Sequence, residues 1–327
     1  MKKFLVLLLT IPSPLFAQDT FSICAVDTVT GEVGSAGASC IDAIMIGNSI
    51  GCALISDVHP GVGVIHTQAY YISPNQSYAA SLMNLGLSPQ QIMDSVQVND
   101  YQNNPSIRQY GAAKLNGSSA LAAAFTGSGC TAYASHRVGP NYAIQGNILL
   151  GAQILDSMEA RFLNTPGDLA CKLMSAMQGA NVVGADTRCM NSGNSSLSSF
   201  LKVADSTGFT IDLVVPYGPT GFEPLDSLQV LFDNVHTCVT GIHEHAGVFT
   251  VSVFPNPSAD DFRISLSRPL QEESIFELYD NQGKLVMKHS IDKQEMLFSR
   301  KNLAGGIYYY RVLAASDKIA AGKIIFE

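Results

Sequence analysis

Thr20 opens the stretch of this chain that is best suited to nucleophilic chemistry. From Thr20 to Val26 apolar and polar residues alternate, Thr30-Gly31 supplies a turn, and small residues continue towards Cys40, a pattern that predicts a β-hairpin. A threonine at the start of a terminal strand can attack a carbonyl carbon while its own α-amino group accepts the proton. The hairpin therefore supplies a candidate nucleophile at its first residue.

Other kinds of site have weaker support in the sequence. His236, His243 and His245 lie close together, but on a predicted loop they fix no metal geometry, so a solvated linker is the better interpretation and we predict no metal. Ser128 has a glycine on each side but lacks the full G-x-S-x-G elbow of a serine hydrolase, which favours a simple turn. Since no phosphate-binding glycine motif is present, we predict no cofactor.

Charge and cysteine content restrict the class of partner and the compartment. The net charge of −8 over 327 residues argues against nucleic acids and anionic membranes, because neither phosphate neutralisation nor a polybasic surface is available. The seven cysteines show no CxxC or zinc-type spacing, and in an oxidising compartment some are expected to form disulfides. The sequence leaves their pairing open.

Residues 1–17 have the three parts of an export signal, namely a basic start, a short apolar core and a small residue, Ala17, at the end. Pro12 interrupts the apolar run after roughly ten residues, whereas a membrane-spanning helix needs about 20. We therefore predict a signal peptide cleaved after Ala17 and no integral membrane segment after its removal. This cleavage leaves Gln18-Asp19 ahead of Thr20.

Predicted strands and pairs of helices alternate between residues 20 and 215. The order is strands, two helices, strands, two helices, strands, which is compatible with two sheets between helical layers. A helical conformation of the Ala-rich segments is the main alternative. Beyond the hairpin, strands are predicted at 61–70, 107–115, 120–125, 142–147, 200–204 and 209–215, and helices at about 75–86, after Ser88, at 153–162 and at 168–178.

The composition changes near Gly247. From residue 251 to residue 327, short alternating strands are separated by turn signals, which predicts a small, independently folded β-sandwich. We therefore divide the chain into a signal peptide (1–17), an N-terminal domain (18–235), a linker (236–250) and a C-terminal β-sandwich (251–327).

Several separated motifs between Thr20 and about Phe232 carry a family resemblance. In this order they resemble the family called domain of unknown function 1028, which implies the fold of N-terminal nucleophile hydrolases. The expected fold class is therefore α+β, with a four-layer αββα sandwich followed by a small all-β, immunoglobulin-like sandwich. The motifs are Thr20–Asp27 (TFSICAVD), Thr67–Tyr70 (TQAY), Arg108–Gly111 (RQYG), Tyr142–Asn147 (YAIQGN) and Ala185–Cys189 (ADTRC).

The resemblance implies a site around Thr20 that hydrolyses an amide bond. Thr20 Oγ1 would attack the carbonyl carbon, and its α-amine would accept the proton once Gln18-Asp19 is removed. Asn147 or a nearby backbone amide would stabilise the oxyanion. The lysine that supports the threonine in proteasome-like relatives has no counterpart, since Lys114 is the first lysine after Lys3. The site-lining residues matched to the family are Asp27, Gln68, Asn147, Asp186 and Arg188, with His136 added as a nearby titratable group.

Each of these residues also has an ordinary structural interpretation. In that interpretation the protein is a secreted, non-catalytic binding module that retains the fold without activity. The ordinary roles are a turn cap for Asp27, satisfaction of buried backbone groups for Gln68, a loop position for His136, and an ion pair between Asp186 and Arg188.

Residues Val251–Glu327 resemble the type A C-terminal sorting domain of the type IX secretion system. The resemblance rests on Pro255-Asn256-Pro257, the turn at 281–284, the strand Gly306–Arg311 and the basic-apolar end. It implies the type IX machinery as a partner. We therefore expect a protein that is exported through the inner membrane and then secreted or attached at the cell surface, with an unknown small-molecule or peptide substrate.

Overall fold

The computed structural model describes residues 20–131, 133–218, 221–238, 251–267, 274–314 and 317–327. The chain divides into two compact units, Met1–Thr240 and Gly241–Glu327, and each is described by itself. The predicted signal peptide and the linker histidines His243 and His245 lie outside the described residues.

The N-terminal unit is a mixed α/β fold with antiparallel sheets. Short 3-10 helices lie at Gly51–Ile55, Pro105–Ile107 and Thr187–Ser192. In chain order the other elements are β1 (Thr20–Val26), β2 (Val33–Ser39), α1 (Ala43–Ile46), β3 (Ser56–His59), β4 (Gly63–Gln68), α2 (Ser73–Asn84), α3 (Pro89–Val98), β5 (Gln109–Asn116), β6 (Ser119–Thr126), β7 (Tyr133–Val138), β8 (Tyr142–Leu149), α4 (Ala152–Asn164), α5 (Leu169–Gly179), β9 (Ser198–Asp205), β10 (Gly208–Val215) and α6 (Pro224–Val235).

Two antiparallel sheets organise these elements. One has six strands in the order β10-β9-β2-β1-β8-β7, and the other has four in the order β3-β4-β5-β6. In the hairpin of β1 and β2, Thr20 lies opposite Ser39 and Val26 lies opposite Val33. The predicted hairpin is therefore confirmed, and Thr20 lies at the end of β1 that is farthest from the turn.

Capping side chains determine where two of the helices begin. Ser88 Oγ accepts from the N–H of Gln91, whose side chain accepts from the N–H of Ser88 in return, and Pro89 follows at the first helical position. Asp168 Oδ1 accepts from the N–H of Cys171 at the start of α5. Each cap stabilises its helix by about 1 kcal/mol, and both predicted helices are confirmed.

Alternation along the strands gives each sheet one apolar face against helices. Phe21 and Ile23 of β1 are fully buried in a core that includes side chains of α4, α5 and α6. On the four-stranded sheet, Ile65 and Tyr110 pack in a core with residues of α2 and α3, among them Ile92. Burial of each such side chain contributes roughly 1.5–3 kcal/mol, so these faces fix the strand registers.

The opposite faces of the two sheets contact each other. Near the turn of the β1–β2 hairpin this interior is apolar, with Val26 and Val33 clustered against Val64 and Ala113. Towards Thr20 it becomes polar and hydrogen-bonded. A close approach is possible at Gly111, because a Cβ there would lie 1.9 Å from Gln145 Oε1.

In two longer segments the elements differ from the sequence expectations. The Ala-rich segment 119–126 is strand β6, paired with β5, so its helical alternative is wrong. Helix α6 was not expected, although Glu223 caps it, Pro224 follows, and Leu225, Leu228 and Phe232 recur at helical spacing on its buried side.

The C-terminal unit is all-β within the residues that the structure describes. Its core contains Phe262, Phe276, Phe298 and Phe326, whose rings contact one another. The strands are β11 (Val251–Phe254), β12 (Asp261–Leu266), β13 (Ser274–Tyr279), β14 (Leu285–Ile291), β15 (Glu295–Ser299), β16 (Gly306–Ala314) and β17 (Asp317–Phe326). One sheet has the order β11-β12-β15 and the other β14-β13-β16-β17.

The end of the chain is held by several contacts. Asn256 Nδ2 donates to the carbonyl of Lys323, and Asn256 Oδ1 accepts from the N–H of Ile325. Arg300 Nη1 donates to the carbonyl oxygen of Glu327, and its guanidinium lies over the ring of Phe326. Of the helices described, none is both long and apolar enough to span a membrane.

Candidate functional site

Thr20 is buried between the two sheets. Its side chain belongs to the face of β1 that carries Ser22 and Cys24, which contact Gln68 and Gly111 of the other sheet. Thr20 is 0% exposed, and its Oγ1 has no hydrogen-bond partner among the described residues. A buried hydroxyl in this condition is uncommon in folded proteins, which marks Thr20 as the centre of a candidate site.

One carbonyl group sets the direction of the hydrogen bonds beside Thr20. The carbonyl oxygen of Thr20 can only accept, so Gln68 Nε2, 3.1 Å away, must donate to it. Gln68 Oε1 then accepts from Ser22 Oγ at 2.6 Å. Because that bond uses the single hydroxyl proton of Ser22, the oxygen of Ser22 must accept from Gln145 Nε2 at 2.7 Å.

The same direction continues to His66 and Ser35. Gln145 Nε2 also lies 3.2 Å from His66 Nδ1, so Nδ1 accepts and the proton of the neutral ring lies on Nε2. His66 Nε2 therefore donates to Ser35 Oγ at 2.6 Å, and Ser35 donates to Ser56 Oγ at 2.6 Å. Burial lowers the pKa of His66 to about 3. His66 thus serves as a neutral structural donor and does not take a proton from Ser35.

Gln109 connects Gln68 to Asn147. Gln109 Oε1 accepts from Gln68 Nε2 at 2.8 Å and from Asn147 Nδ2 at 3.0 Å. Its Nε2 lies 3.0 Å from the carbonyl of Ser135 and 2.9 Å from that of Gly146, which fixes the orientation of the amide. Gln109 therefore positions the side chains of Gln68 and Asn147, both of which lie beside Thr20.

Asn147 presents an acceptor to the site. Phe21 pairs with Gly146, so the next position along β8 places Asn147 beside Thr20. Asn147 Nδ2 already donates to Gln109, whereas the buried Oδ1 has no hydrogen-bond partner in the described part of the chain. Asn147 therefore presents an acceptor oxygen beside Thr20, while its Nδ2 is engaged with Gln109.

Asp186 and Arg188 lie at the same end of the β1–β2 hairpin as Thr20. Asp186 Oδ2 accepts from the N–H of Cys40 at 2.9 Å, one residue after the partner of Thr20. Arg188 Nη2 lies 2.7 Å from Asp186 Oδ2, so the expected ion pair is present. A disulfide between Cys40 and Cys189 joins the hairpin to the segment that carries both residues.

His136 connects to this network through Thr126. It lies on strand β7, so the alternative of a loop position is wrong. His136 Nδ1 is 2.9 Å from Thr126 Oγ1, which is 2.9 Å from Gln109 Nε2. Burial, together with the charge of Arg137, lowers the pKa of His136, so the ring is a neutral group behind the site.

Asp27 and Lys114 are not brought together with Thr20. Asp27 follows the opposite end of β1, where its Oδ1 accepts from the N–H groups of Val29 and Thr30 and caps the hairpin turn. Lys114 Nζ donates to the carbonyls of Gly86 and Leu87.

Sequence reasoning missed a buried ion pair beside the site. Arg108, which is 1% exposed, precedes Gln109, and its Nε lies 2.9 Å from Asp100 Oδ2. Its Nη1 donates to the carbonyl of Tyr70, in the loop that follows Gln68. Burial raises the pKa of Asp100, but hydrogen bonds from Arg108, Asn104 and Asn75 outweigh this and lower it to about 2. The RQYG motif was the available signal in the sequence, but neither Arg108 nor Gln109 was among the predicted site residues.

The fold and this site define a mixed α/β protein with a buried polar centre and a C-terminal all-β region. A family model described as "Family of unknown function (DUF1028)" matches residues 20–225, more than half of the chain, and the chain belongs to this family. A second model, described as "Secretion system C-terminal sorting domain", matches residues 252–327. Both resemblances in the sequence are thus confirmed, and together they indicate a secreted protein that engages the type IX secretion system.

Solved structures include a relative of the N-terminal unit. A crystal structure of a DUF1028-family protein from Silicibacter pomeroyi is similar with a TM-score of 0.52 and 21% identity, over 67% of this chain and 90% of that chain. It shows the fold alone. Latent PorU from Porphyromonas gingivalis aligns at 22% identity over 39% of this chain and 12% of that chain, with a TM-score of 0.21 that carries no argument. No protein with a curated description matches the chain.

Proposed function

We propose that the N-terminal unit is an N-terminal nucleophile hydrolase-like domain that cleaves an amide bond, with Thr20 as the nucleophile. The observation that carries the proposal is the buried Thr20 Oγ1, which has no hydrogen-bond partner among the described residues and lies on the first strand between the sheets. The two sheets with their helical coverings support the assignment of a four-layer αββα sandwich. Polypeptide cleavage directly before Thr20 is required to expose its α-amine.

The contacts around Thr20 suit this chemistry. Gln68 holds the carbonyl oxygen of Thr20, which fixes the backbone while Oγ1 attacks a substrate carbonyl and the new α-amine accepts the proton. Asn147 Oδ1, an acceptor without a described partner, is available to the protonated amine or to an N–H group of the substrate. The ion pair of Asp186 with Arg188 borders the site without a net charge, which fits a neutral amide in a small molecule or peptide.

A secreted, non-catalytic binding module is the second candidate. One observation favours it: Lys114 lies elsewhere, so among the described residues the site contains no lysine of the kind that supports the threonine in proteasome-like relatives. In this alternative Gln18-Asp19 remains in place and the polar network serves only to hold the two sheets together.

For secretion, we propose that residues 1–17 direct export through the inner membrane and that residues 251–327 then direct passage by the type IX machinery. The two C-terminal sheets and their shared aromatic core support an immunoglobulin-like sandwich. Residues 18–235 would be the functional domain and 236–250 the linker. The mature protein would be released or attached at the cell surface.

Substitution of Thr20 tests the proposed chemistry. Wild-type, Thr20→Ser and Thr20→Ala proteins recovered after secretion are compared on a panel of amides and short peptides. We expect turnover in the wild type, reduced turnover in Thr20→Ser and none in Thr20→Ala, with unchanged circular dichroism. Equal turnover in Thr20→Ala, or no turnover of any amide by a chain that begins at Thr20, would refute the proposal and favour the binding module.

A further inference from the structure

Side chains of types that can bind a metal ion converge where helix α5 begins and helix α6 ends. Cys171, His236 and Cys238 each place a ligand atom within 4.8 Å of the others, and Asp168 Oδ2 lies 3.0 Å from His236 Nε2. The two cysteines form a disulfide in the structure. We propose that reduction of this disulfide converts the cluster into a zinc site, in which both thiolates and His236 bind the ion.

The chemistry of the cluster selects zinc. Two thiolates and an imidazole form one of the usual ligand sets for this ion, and three protein ligands leave a fourth position for water. Because Asp168 Oδ2 contacts Nε2 of His236, Nδ1 is the ring nitrogen whose lone pair is left for the metal in our proposal. A carboxylate behind a metal-binding imidazole is the common outer-shell arrangement, since it fixes the orientation of the ring. Asp168 is thus a positioning residue.

The chain supplies these groups as two short pairs. His236 and Cys238 are two residues apart at the end of α6, and Asp168 and Cys171 are three residues apart at the start of α5. Each pair comes from one local segment, so closing the site requires only that the two segments stay together. The tilted contact between the rings of His236 and Phe232, 5.1 Å apart, holds the histidine against α6.

The position of the disulfide makes it accessible to a dithiol reductant. Cys238 is exposed, whereas Cys171 is buried at the third position of α5, where backbone N–H groups stabilise a thiolate. A thiolate of the dithiol attacks Cys238 Sγ, the S–S bond breaks, and Cys171 leaves as a thiolate. The second thiol of the reductant then closes its own disulfide and releases Cys238, having supplied two electrons in total. Zinc binding displaces the remaining thiol proton.

The second disulfide provides an internal comparison. Cys40 and Cys189 are both buried, and within the described chain they belong to no group of three metal-binding side chains of this kind. Reduction of both disulfides should therefore create one zinc site and not two. Zinc and the disulfide would join the same two segments, so this connection would persist in either redox state.

Cobalt binding to the reduced protein tests the site. The full chain is reduced with a dithiol, and the reductant is removed under anaerobic conditions. The protein is then titrated with Co²⁺, whose thiolate charge-transfer absorption reports cysteine ligation. We expect one equivalent to bind and Zn²⁺ to displace it. The Cys171→Ser/Cys238→Ser variant should lose the absorption, and the Cys40→Ser/Cys189→Ser variant should keep it.

Two further variants keep both cysteines. His236→Ala should weaken binding and alter the cobalt spectrum, and Asp168→Asn should weaken binding by about 10- to 100-fold, while asparagine still caps α5. Circular dichroism of each reduced variant verifies the fold. Absence of stoichiometric cobalt binding, absorption that survives in Cys171→Ser/Cys238→Ser, or unchanged affinity in His236→Ala would each overturn the proposal.

Discussion

The side-chain amide of Gln68 donates to the carbonyl oxygen of Thr20 at 3.1 Å. This contact joins the four-stranded sheet to the first residue of strand β1. Since a carbonyl can only accept, it fixes the orientation of Gln68 and, through Ser22 and Gln145, of the donors that follow. The candidate nucleophile is therefore held by a network in which each amide has one allowed orientation.

Replacing Gln68 with glutamate should break this network. A carboxylate cannot donate, so the carbonyl of Thr20 and Gln109 Oε1 would both lose a hydrogen bond, at a cost of about 1–3 kcal/mol for each buried group. Urea unfolding measures the loss. Gln76→Glu is the matched control, because Gln76 acts as an acceptor from Thr67, and glutamate can still accept. Equal stability of Gln68→Glu and wild type would contradict the assignment of the Gln68 side-chain amide as the hydrogen-bond donor.

His66 should make the N-terminal unit less stable as the pH falls. Burial lowers the pKa of His66 from 6.5 to about 3, so between these values the unfolded chain binds a proton that the folded chain does not. Its contribution to stability is complete above pH 6.5 and falls towards pH 3, by up to about 1.4 kcal/mol per pH unit.

His66→Gln isolates this effect. Glutamine can donate to Ser35 and accept from Gln145 as the neutral ring does, but it does not titrate. The difference in unfolding free energy between wild type and His66→Gln should change with pH between pH 6 and pH 4, in favour of the variant at low pH. A difference that stays constant over this range would show that His66 is not a buried neutral histidine.

Asp100→Asn should strongly destabilise the fold beside the site. It leaves the guanidinium of Arg108 buried without its carboxylate, and breaking a buried ion pair in this way costs about 3–5 kcal/mol. Thermal and urea unfolding are the measurements. Asp94→Asn, at an exposed position of α3, should change stability by less than about 0.5 kcal/mol. Similar effects of the two substitutions would argue against the importance of the pair.

Arg300 should be needed for secretion because it holds the end of the sorting domain. Arg300→Ala removes hydrogen bonds to the carbonyls of Ala259 and Glu327, each worth up to about 1 kcal/mol at a solvent-exposed position. We expect a lower melting temperature of the C-terminal unit and less protein in the medium by immunoblot. Arg263→Ala, which removes an exposed pair with Glu295, should leave both unchanged.

Deletion of residues 251–327 gives the limiting case of the same prediction. The truncated chain should accumulate in the periplasm, because the N-terminal unit would retain its export signal but lack the type IX sorting domain. Fractionation followed by immunoblotting distinguishes periplasmic from secreted protein. Normal release of the truncated chain would contradict a sorting function for this domain.

The sequence predicted those strands, turns and helix starts whose signals lie within a few neighbouring residues. Alternation around Ser22 and the turn at Thr30-Gly31 predicted the first hairpin, and Ser88-Pro89 predicted the start of α3. Asn116-Gly117 likewise predicted the hairpin of β5 and β6. Helix α6 had the same kind of signal and was overlooked.

Contacts across the sheets could not be predicted in the same way. Gln109 and Asn147 are 38 positions apart and meet only because β5 and β8 lie in facing sheets. Asp27 matched a family motif, yet it follows the last residue of β1 and lies in the turn, at the opposite end of the strand from Thr20. Motifs identify which residues matter, whereas strand register decides which of them meet.

The first residue of the secreted protein decides most directly whether Thr20 can act as a nucleophile. Mass spectrometry of the N-terminal peptide from protein in the culture medium measures it. We expect a chain from which Gln18-Asp19 has been removed after signal cleavage, so that it begins at Thr20 with a free α-amine next to Oγ1. A chain that begins at Gln18, including its cyclised form, would contradict the mechanism and leave the hairpin as part of a binding module.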